Sequence, residues 1–418
     1  MMPPAPRTTI GELCAASAIG ISVLLSACAS GPTTPDTGAS GLTPEARALQ
    51  TEPPPLTAEQ QALLDRRTRR IDELLSGPLT AETSAEIALL QNPAVERALE
   101  TLGMPGFDRL LLAHTVNPAF NHGQPPSTAE TRIERPLSIN AMTWVSVPAL
   151  AGDYIAGNRA PRLQAADEIV ALLFSARRAW VRAVAARQSQ RYLEDVAAAA
   201  EAGRDIMEGM RQVGNASELE LLRARTLYAD AVANLTTGQL AAAVERERLI
   251  QTLGLWGADA DRVRLPEHLP DPPPAAIGPE SLEDRAVAQR FDVRAGRIEG
   301  LAGEAGVNAR ADVRTAWLAY RASYDLAQHA REALVPLAKR ASAEQLKLYN
   351  GMLIDVFDLV ADATRRISAV NAALDAQRNF WLAEVELQRA MSGVGRPGET
   401  VQPGAVGGYQ PGTAFHVH

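Results

Sequence analysis

The sequence is poor in cysteine, in aromatic residues and in long apolar runs, and each shortage excludes something. Its two cysteines, Cys14 and Cys28, both fall within the first thirty residues. The rest of the chain has no thiol for a disulfide framework, a thiolate metal site or a nucleophile. Aromatics are 5% of the residues against 46% hydrophobic overall, and alanine supplies much of the difference. Chains rich in Ala, Leu and Arg favour helix, and small residues let helices pack closely. Beyond the N-terminus no segment has about 18 uncharged apolar residues in a row, so no transmembrane helix is expected. A membrane crossing would need strands in a closed barrel.

Recognisable chemistry is also scarce. The six histidines, His114, His122, His268, His329, His416 and His418, show no H-x-x-x-H or H-E-x-x-H spacing. His416 and His418 leave open only a loose metal contact at the tail. No Gly-rich phosphate loop and no G-x-S-x-G elbow appears in the mature chain. Neither an enzyme nor a cofactor is expected. A net charge of −8 argues against a nucleic-acid partner.

What is present begins with an address. A short apolar stretch runs from about Ala15 to Ala27 and ends in Leu25-Ser26-Ala27-Cys28. It is too short to span a bilayer and ends in small residues, as a secretory signal does. The ending resembles the bacterial lipobox, in which Cys28 is acylated and becomes the first mature residue. The alternative is an ordinary signal peptide that contains a Cys. Residues 1–27 are thus expected to be a lipoprotein signal. Acyl chains on Cys28 would anchor the chain to outer membrane lipid, at roughly 0.8 kcal/mol per buried CH₂. Residues 28–56, rich in Gly, Pro, Ser and Thr, read as a flexible tether.

Helical patterns follow in "TAEQQALLDRRTRRIDELL" and "TAETSAEIALLQNPAVERALETL", with Asn92-Pro93 opening a fresh helix or kinking one. Residues 103–150 are punctuated by Gly, Pro and Asn. Alternation at Thr131, Ile133, Leu137 and Ile139 predicts a two-stranded hairpin; an irregular loop is the alternative. From about Arg162 to Gln212 the pattern is one very long helix. "VGNAS" stops it at Gly214, and Ser217 with Glu220 forms a capping box for the next helix. That helix carries Leu219, Leu222, Thr226, Ala229, Ala233, Thr236, Leu240 and Ala243 at alternating steps of three and four, a coiled-coil seam.

The pattern then repeats. A shift of 137 positions superposes Arg177 on Arg314, Trp180 on Trp317 and Gly214 on Gly351. The second return helix carries Val356, Val360, Ala363, Ile367, Val370, Leu374, Trp381 and Val385. The predicted architecture is mainly α: long antiparallel helical hairpins in two tandem repeats, residues 57–278 and 279–395, with a disordered tail at 396–418. Trp180, Trp317 and Trp381 are expected in core packing. Arg177 and Arg314 are expected to be solvated or paired with acids.

Several stretches together resemble the TolC-like outer membrane factor family: "IALLQNPAVERAL", "VNPAF", "VGNASELELLRARTLYADAVANL", "RERLIQTLGLWG", "QRFDVRAGR", "LKLYNGMLIDVFDLVADATRR" and "NFWLAEVELQRAMSG". The resemblance spans roughly residues 57–394. It implies a homotrimer with a shared β-barrel and a periplasmic helical barrel, a passive export duct for small molecules or metal ions. It also implies a periplasmic adaptor protein and an inner-membrane pump as partners. The helix-turn tips Gly214, Asn215, Asn350 and Gly351 would dock the adaptor. Asp355, Asp358 and Glu218 would form a periplasmic gate by the logic of carboxylate rings. The plainer reading of these acids is helix capping and offset of the macrodipole. Gly214 and Gly351 are expected to end their helices at positive φ.

One departure stands out. After "AVAQRFDVRAGRIEG" the chain reads "LAGEAGVNARADVRTAW", with Gly300, Gly303 and Gly306 at the join and no second strand pair. Two strands per chain make six in a trimer, whereas known transmembrane barrels begin at about eight. A lipid-anchored periplasmic scaffold without a pore of its own is the alternative.

Overall fold

The computed structural model describes residues 57–103, 109, 159–280, 282–290, 292–293, 302–354 and 356–393. The lipobox Leu25-Ser26-Ala27-Cys28, the tether, the expected strands at 131–139 and the tail lie outside the described residues. Among the described residues there is no strand, and no helix is long and apolar enough to cross a membrane.

Three helices open the fold: α1 (Ala58–Leu75), α2 (Ala81–Gln91) and α3 (Pro93–Thr101). The starts of α2 and α3 are written locally. Thr80 caps α2, its hydroxyl accepting from the Thr83 N–H at 3.1 Å. Asn92 caps α3, its Oδ1 accepting from the Ala94 N–H at 2.9 Å, with Pro93 in the first turn where a missing N–H is harmless. Asn92-Pro93 therefore does open a fresh helix. Residues Ser84 to Leu90 of α2 are all buried, as befits a helix with apolar residues on every side. The buried charge among them, Glu86, is held by Arg70 of α1 through Nε at 2.7 Å and Nη2 at 3.2 Å.

The first hairpin pairs α4 (Arg159–Gln212) with α5 (Glu218–Leu253). At 1.5 Å per residue they reach roughly 80 and 54 Å. Leu221, Ala224, Ala231, Ala242 and Leu249 of α5 are buried, Ala197, Ala200 and Met207 are the buried residues of α4 lower in the hairpin, and Gly238 lets Leu193 approach so closely that a Cβ would sit 2.6 Å from its Cδ1. The expected seam is not the stripe that closes the hairpin. Leu219, Leu222, Thr226, Ala229, Ala233, Thr236, Leu240 and Ala243 are all exposed. They form a second stripe beside the one that closes the hairpin.

A short helix α6 (Ala258–Asp261) and an extended connector lead to α7 (Leu282–Gln289) and the second hairpin: α8 (Ala302–His329), a π-helical turn at Ala330–Leu334, α9 (Val335–Asn350) and α10 (Val356–Ser392). The π turn ends two residues before Pro336, which lacks the N–H an unbroken helix needs. Gly303 and Gly306 lie inside α8 rather than at a join, and Gly300 lies outside the described residues. The equivalent ascending helix of the first hairpin is unbroken.

The ascending helices of the two hairpins are anchored by two equivalent devices. Trp180 Nε1 donates to the Leu79 carbonyl at 2.7 Å, and Trp317 Nε1 donates to the Ile277 carbonyl at 3.0 Å. These partners are 101 residues apart in the first repeat and 40 in the second, so the second is shorter by 61. Each return helix also ends at a left-handed glycine seated against a distant part of the chain. Gly254 (φ 74) abuts Asn92, whose Nδ2 donates to the Thr252 carbonyl at 2.9 Å. Gly393 (φ 71) abuts Arg290 and Asp292, and Arg290 Nη1 donates to the Ala390 carbonyl at 3.0 Å. A carbonyl near the C-terminus of each return helix thus finds a side-chain donor from a distant segment.

The core lies where α2, α3, α4, α8 and α10 meet. Phe380 packs against Tyr320, Tyr324 and Trp381 with ring centroids 5.6, 5.8 and 5.1 Å away. Tilted and edge-on pairs of this kind contribute roughly 0.5–1.5 kcal/mol each beyond area burial. The tryptophans serve the core, with Trp180 and Trp381 buried and Trp317 partly so. Arg177 donates to Gln388 Oε1 at 2.6 Å, and Arg314 grips Glu283 at 2.9 and 3.0 Å.

Candidate functional site at the hairpin tips

The two hairpins end in corners built from the same hydrogen bonds. In the first, the Asn215 N–H donates to the Met210 carbonyl at 2.8 Å and the Gly214 N–H to that of Arg211 at 3.1 Å. In the second, the Leu353 N–H donates to the Leu348 carbonyl at 2.9 Å and the Met352 N–H to that of Tyr349 at 2.9 Å. Both are Schellman corners, which need one residue at positive φ. In the first that residue is Gly214, at φ 82. In the second it is Met352, at φ 58, while Gly351 sits at φ −82. The expectation of positive φ at Gly351 is therefore corrected. The corner has slipped by one residue relative to the sequence repeat, and a side chain occupies a conformation that costs about 1–2 kcal/mol.

That side chain is 92% exposed. Leu353 beside it and Val213 on the first corner are exposed too, so each tip presents apolar groups to solvent. Asn215 is exposed on the first corner and Asn350 closes α9 on the second. Behind the first tip, Met207, Ala216, Leu221 and Ala224 form a small cluster that fixes the corner. Behind the second, the Ser342 hydroxyl donates to the buried Asp362 carboxylate across the hairpin. Sequence reading misses Met352 and the Ser342–Asp362 pair; neither has a local signal, because both depend on how the hairpin closes.

The acids divide in role. The Ser217 N–H donates to Glu220 Oε2 at 2.6 Å and the Glu220 N–H to Ser217 Oγ at 3.2 Å, the expected capping box. The bond from the Ser217 backbone holds the Glu220 carboxyl below its ordinary pKa. Glu218 is exposed and lies 3.3 Å from Arg211 Nε. Asp358 is exposed in the first turn of α10, and Asp355 lies outside the described residues. The geometry offers apolar knobs flanked by carboxylates, suited to recognition by packing. Among the described residues no group of three or more His, Cys, Asp or Glu side chains could hold a metal ion.

Two long helical hairpins in tandem, the first continued end to end by a shorter helix, define a class of fold. It is the fold of the TolC-like outer membrane factors. A membrane protein from Pseudomonas aeruginosa superposes with a TM-score of 0.52 at 14% identity, covering 75% of this chain and 93% of that one. The outer membrane protein VceC from Vibrio cholerae gives 0.50 at 14%, covering 75% and 96%. The Campylobacter jejuni outer membrane channel CmeC gives 0.50 at 13%, covering 90% and 96%. No family model and no curated protein matches the sequence.

Proposed function

We propose that this chain is the outer-membrane channel component of a tripartite efflux assembly, a passive exit duct for small molecules or metal ions. In this reading it is a homotrimer held to the outer membrane by acyl chains on Cys28. Its tips, at Gly214, Asn215, Asn350 and Gly351, meet a periplasmic adaptor protein that links it to an inner-membrane pump. Asp355, Asp358 and Glu218 narrow the periplasmic entrance.

The observation that carries the reading is the exposed stripe of α5. Eight apolar or small residues at steps of three and four, with Leu240 65% exposed, run from Leu219 to Ala243 along a helix whose other stripe is already used. Such a stripe is made for a neighbouring helix, and burying each of its three leucines is worth roughly 1.5–3 kcal/mol. A ring of copies would cover it and enclose a conduit. The test is Leu222→Glu combined with Leu240→Glu in the acylated chain, read by light scattering in detergent and by planar-bilayer conductance. The wild type is expected to be trimeric and to open discrete channels; the double variant is expected to do neither. A monomeric or silent wild type would overturn the reading.

The second reading is a lipid-anchored periplasmic scaffold without its own pore. The 61-residue difference between the repeats favours it, because it leaves no length for a second strand pair. Stable trimers without conductance would select it.

A further inference from the structure

Where the two hairpins meet, a cavity of about 300 Å³ lies between α4 and α10, closed by residues 78–82 on one side and by the 266–270 connector on the other. Hydrogen bonds hold its frame on both sides. Trp180 Nε1 donates to the Leu79 carbonyl at 2.7 Å and Trp381 Nε1 to the Pro270 carbonyl at 2.8 Å. The Leu269 N–H donates to Gln188 Oε1 at 3.1 Å, and Gln377 Nε2 donates to the Leu269 and Pro270 carbonyls at 3.0 and 2.9 Å. An indole has one polar group, its N–H, and both indoles here have spent it on the frame. The surface they leave to the cavity is apolar.

The polar lining is spent in the same way. Gln388 Oε1 accepts from Arg177 Nη1 at 2.6 Å, and Gln388 Nε2 donates to Glu384. Glu82, Arg177 and Glu384 have further partners within the chain. His268 Nδ1 donates to the Leu269 carbonyl at 3.2 Å, and Thr80 Oγ1 accepts from the Thr83 N–H at 3.1 Å. The charged lining, Glu82 and Glu384 with Arg177 and His268, is therefore engaged by the protein itself. A charged ligand would shed its water here and meet only charges that are already paired, which makes its burial costly. What remains for a ligand is the apolar wall, with Trp180, Trp381, Val181, Val385, Leu79 and Ala81.

We propose that this cavity binds a compact neutral aromatic molecule of about two fused rings, held by the apolar wall and without an ion pair. Size sets the ring count. An apolar cavity of about 150 Å³ takes one benzene, so one of about 300 Å³ takes two fused rings. The indoles favour an aromatic guest over an aliphatic one, because aromatic pairs attract beyond the area they bury. Such a guest touches α4 of the first hairpin and α10 of the second together, so its binding favours the arrangement in which they are joined. The site is built within one chain and does not depend on the duct reading.

The test uses the full mature chain in detergent and fluorine NMR, with a detergent-only blank for micelle uptake. The probe is a fluorinated naphthol, uncharged at neutral pH. Its controls are the matching fluoronaphthalene sulfonate, an anion, and fluoronaphthylmethylammonium, a cation. The naphthol is expected to bind saturably above the blank, and each charged relative at least about tenfold more weakly. Ala81→Phe, which fills the cavity from the 78–82 side, should abolish saturable binding, and Pro78→Phe at the exposed rim should weaken it about tenfold. Naphthol binding no greater than the blank overturns the proposal. So does equal or tighter binding of either charged relative, or wild-type binding by either variant with its circular dichroism intact. Should Ala81→Phe fail to fold, Pro78→Phe decides alone.

Discussion

Three corners of the chain take similar left-handed backbone in different surroundings, and alanine or glycine at each separates intrinsic strain from packing. Gly214 has φ 82 with nothing within 4 Å of where a Cβ would sit, so Gly214→Ala meets only the steric cost of the left-handed region. That cost is about 1 kcal/mol, part of which is offset because alanine also restrains the unfolded chain. Gly254 has φ 74, but a Cβ there would lie 2.7 Å from Asn92 Cα, 3.0 Å from Asn92 N and 3.1 Å from Gln91 C. All three are backbone atoms at a helix joint and cannot swing aside. Overpacking of this kind adds about 1–3 kcal/mol, and prising the joint open forfeits the Asn92–Thr252 bond, worth about 1 kcal/mol. Gly254→Ala should therefore cost about 3–5 kcal/mol against about 1 for Gly214→Ala. Met352→Gly should move the other way, relieving about 1 kcal/mol of strain. Urea unfolding followed by far-UV circular dichroism measures all three, and amide exchange at Thr252 and Leu255 reports the joint directly. If Gly254→Ala is no worse than Gly214→Ala, the end-to-end joint yields easily and the reasoning fails.

Two further outcomes follow from buried and capping carboxylates. Arg70→Ala strands the fully buried Glu86 and should destabilise by about 3–5 kcal/mol, whereas Arg70→Met with Glu86→Leu should recover most of that in a thermal melt. Glu220 has a folded pKa below its unfolded value, so its contribution is present above the ordinary carboxylate range and is lost as pH falls through the folded value. Proteolysis near residues 213–217 should rise at acidic pH in the wild type and lose that dependence in Glu220→Gln; an unchanged profile would refute the capping role.

The long helices are legible in the sequence because their causes are local. An Ala- and Leu-rich run without proline makes α4, and Ser217 with Glu220 starts α5 whatever the rest of the chain does. The repeat is legible from Trp180 and Trp317, whose indoles make matching bonds to Leu79 and Ile277. The seam that closes the hairpin on α5 is not. Residues 221, 224 and 231 and residues 222, 226 and 233 form adjacent stripes, both of small or apolar residues, and periodicity cannot choose between them. The second tip escapes for a similar reason: Gly351 invites a left-handed corner, but the pairing of α9 with α10 sets the turn one residue later.

Sequence alone thus determined where helices begin and which of them repeat. Tertiary structure decided which stripe of α5 faces inward and which faces out, that Met352 carries the strained corner, that Gly254 and Gly393 seat each return helix against a distant part of the chain, and that two tryptophans 201 positions apart line one cavity. The division has a physical cause. Capping, propensity and periodicity act within a few residues of one another, whereas the register of a hairpin and the contact of two helix ends are settled only when distant segments compete for the same space.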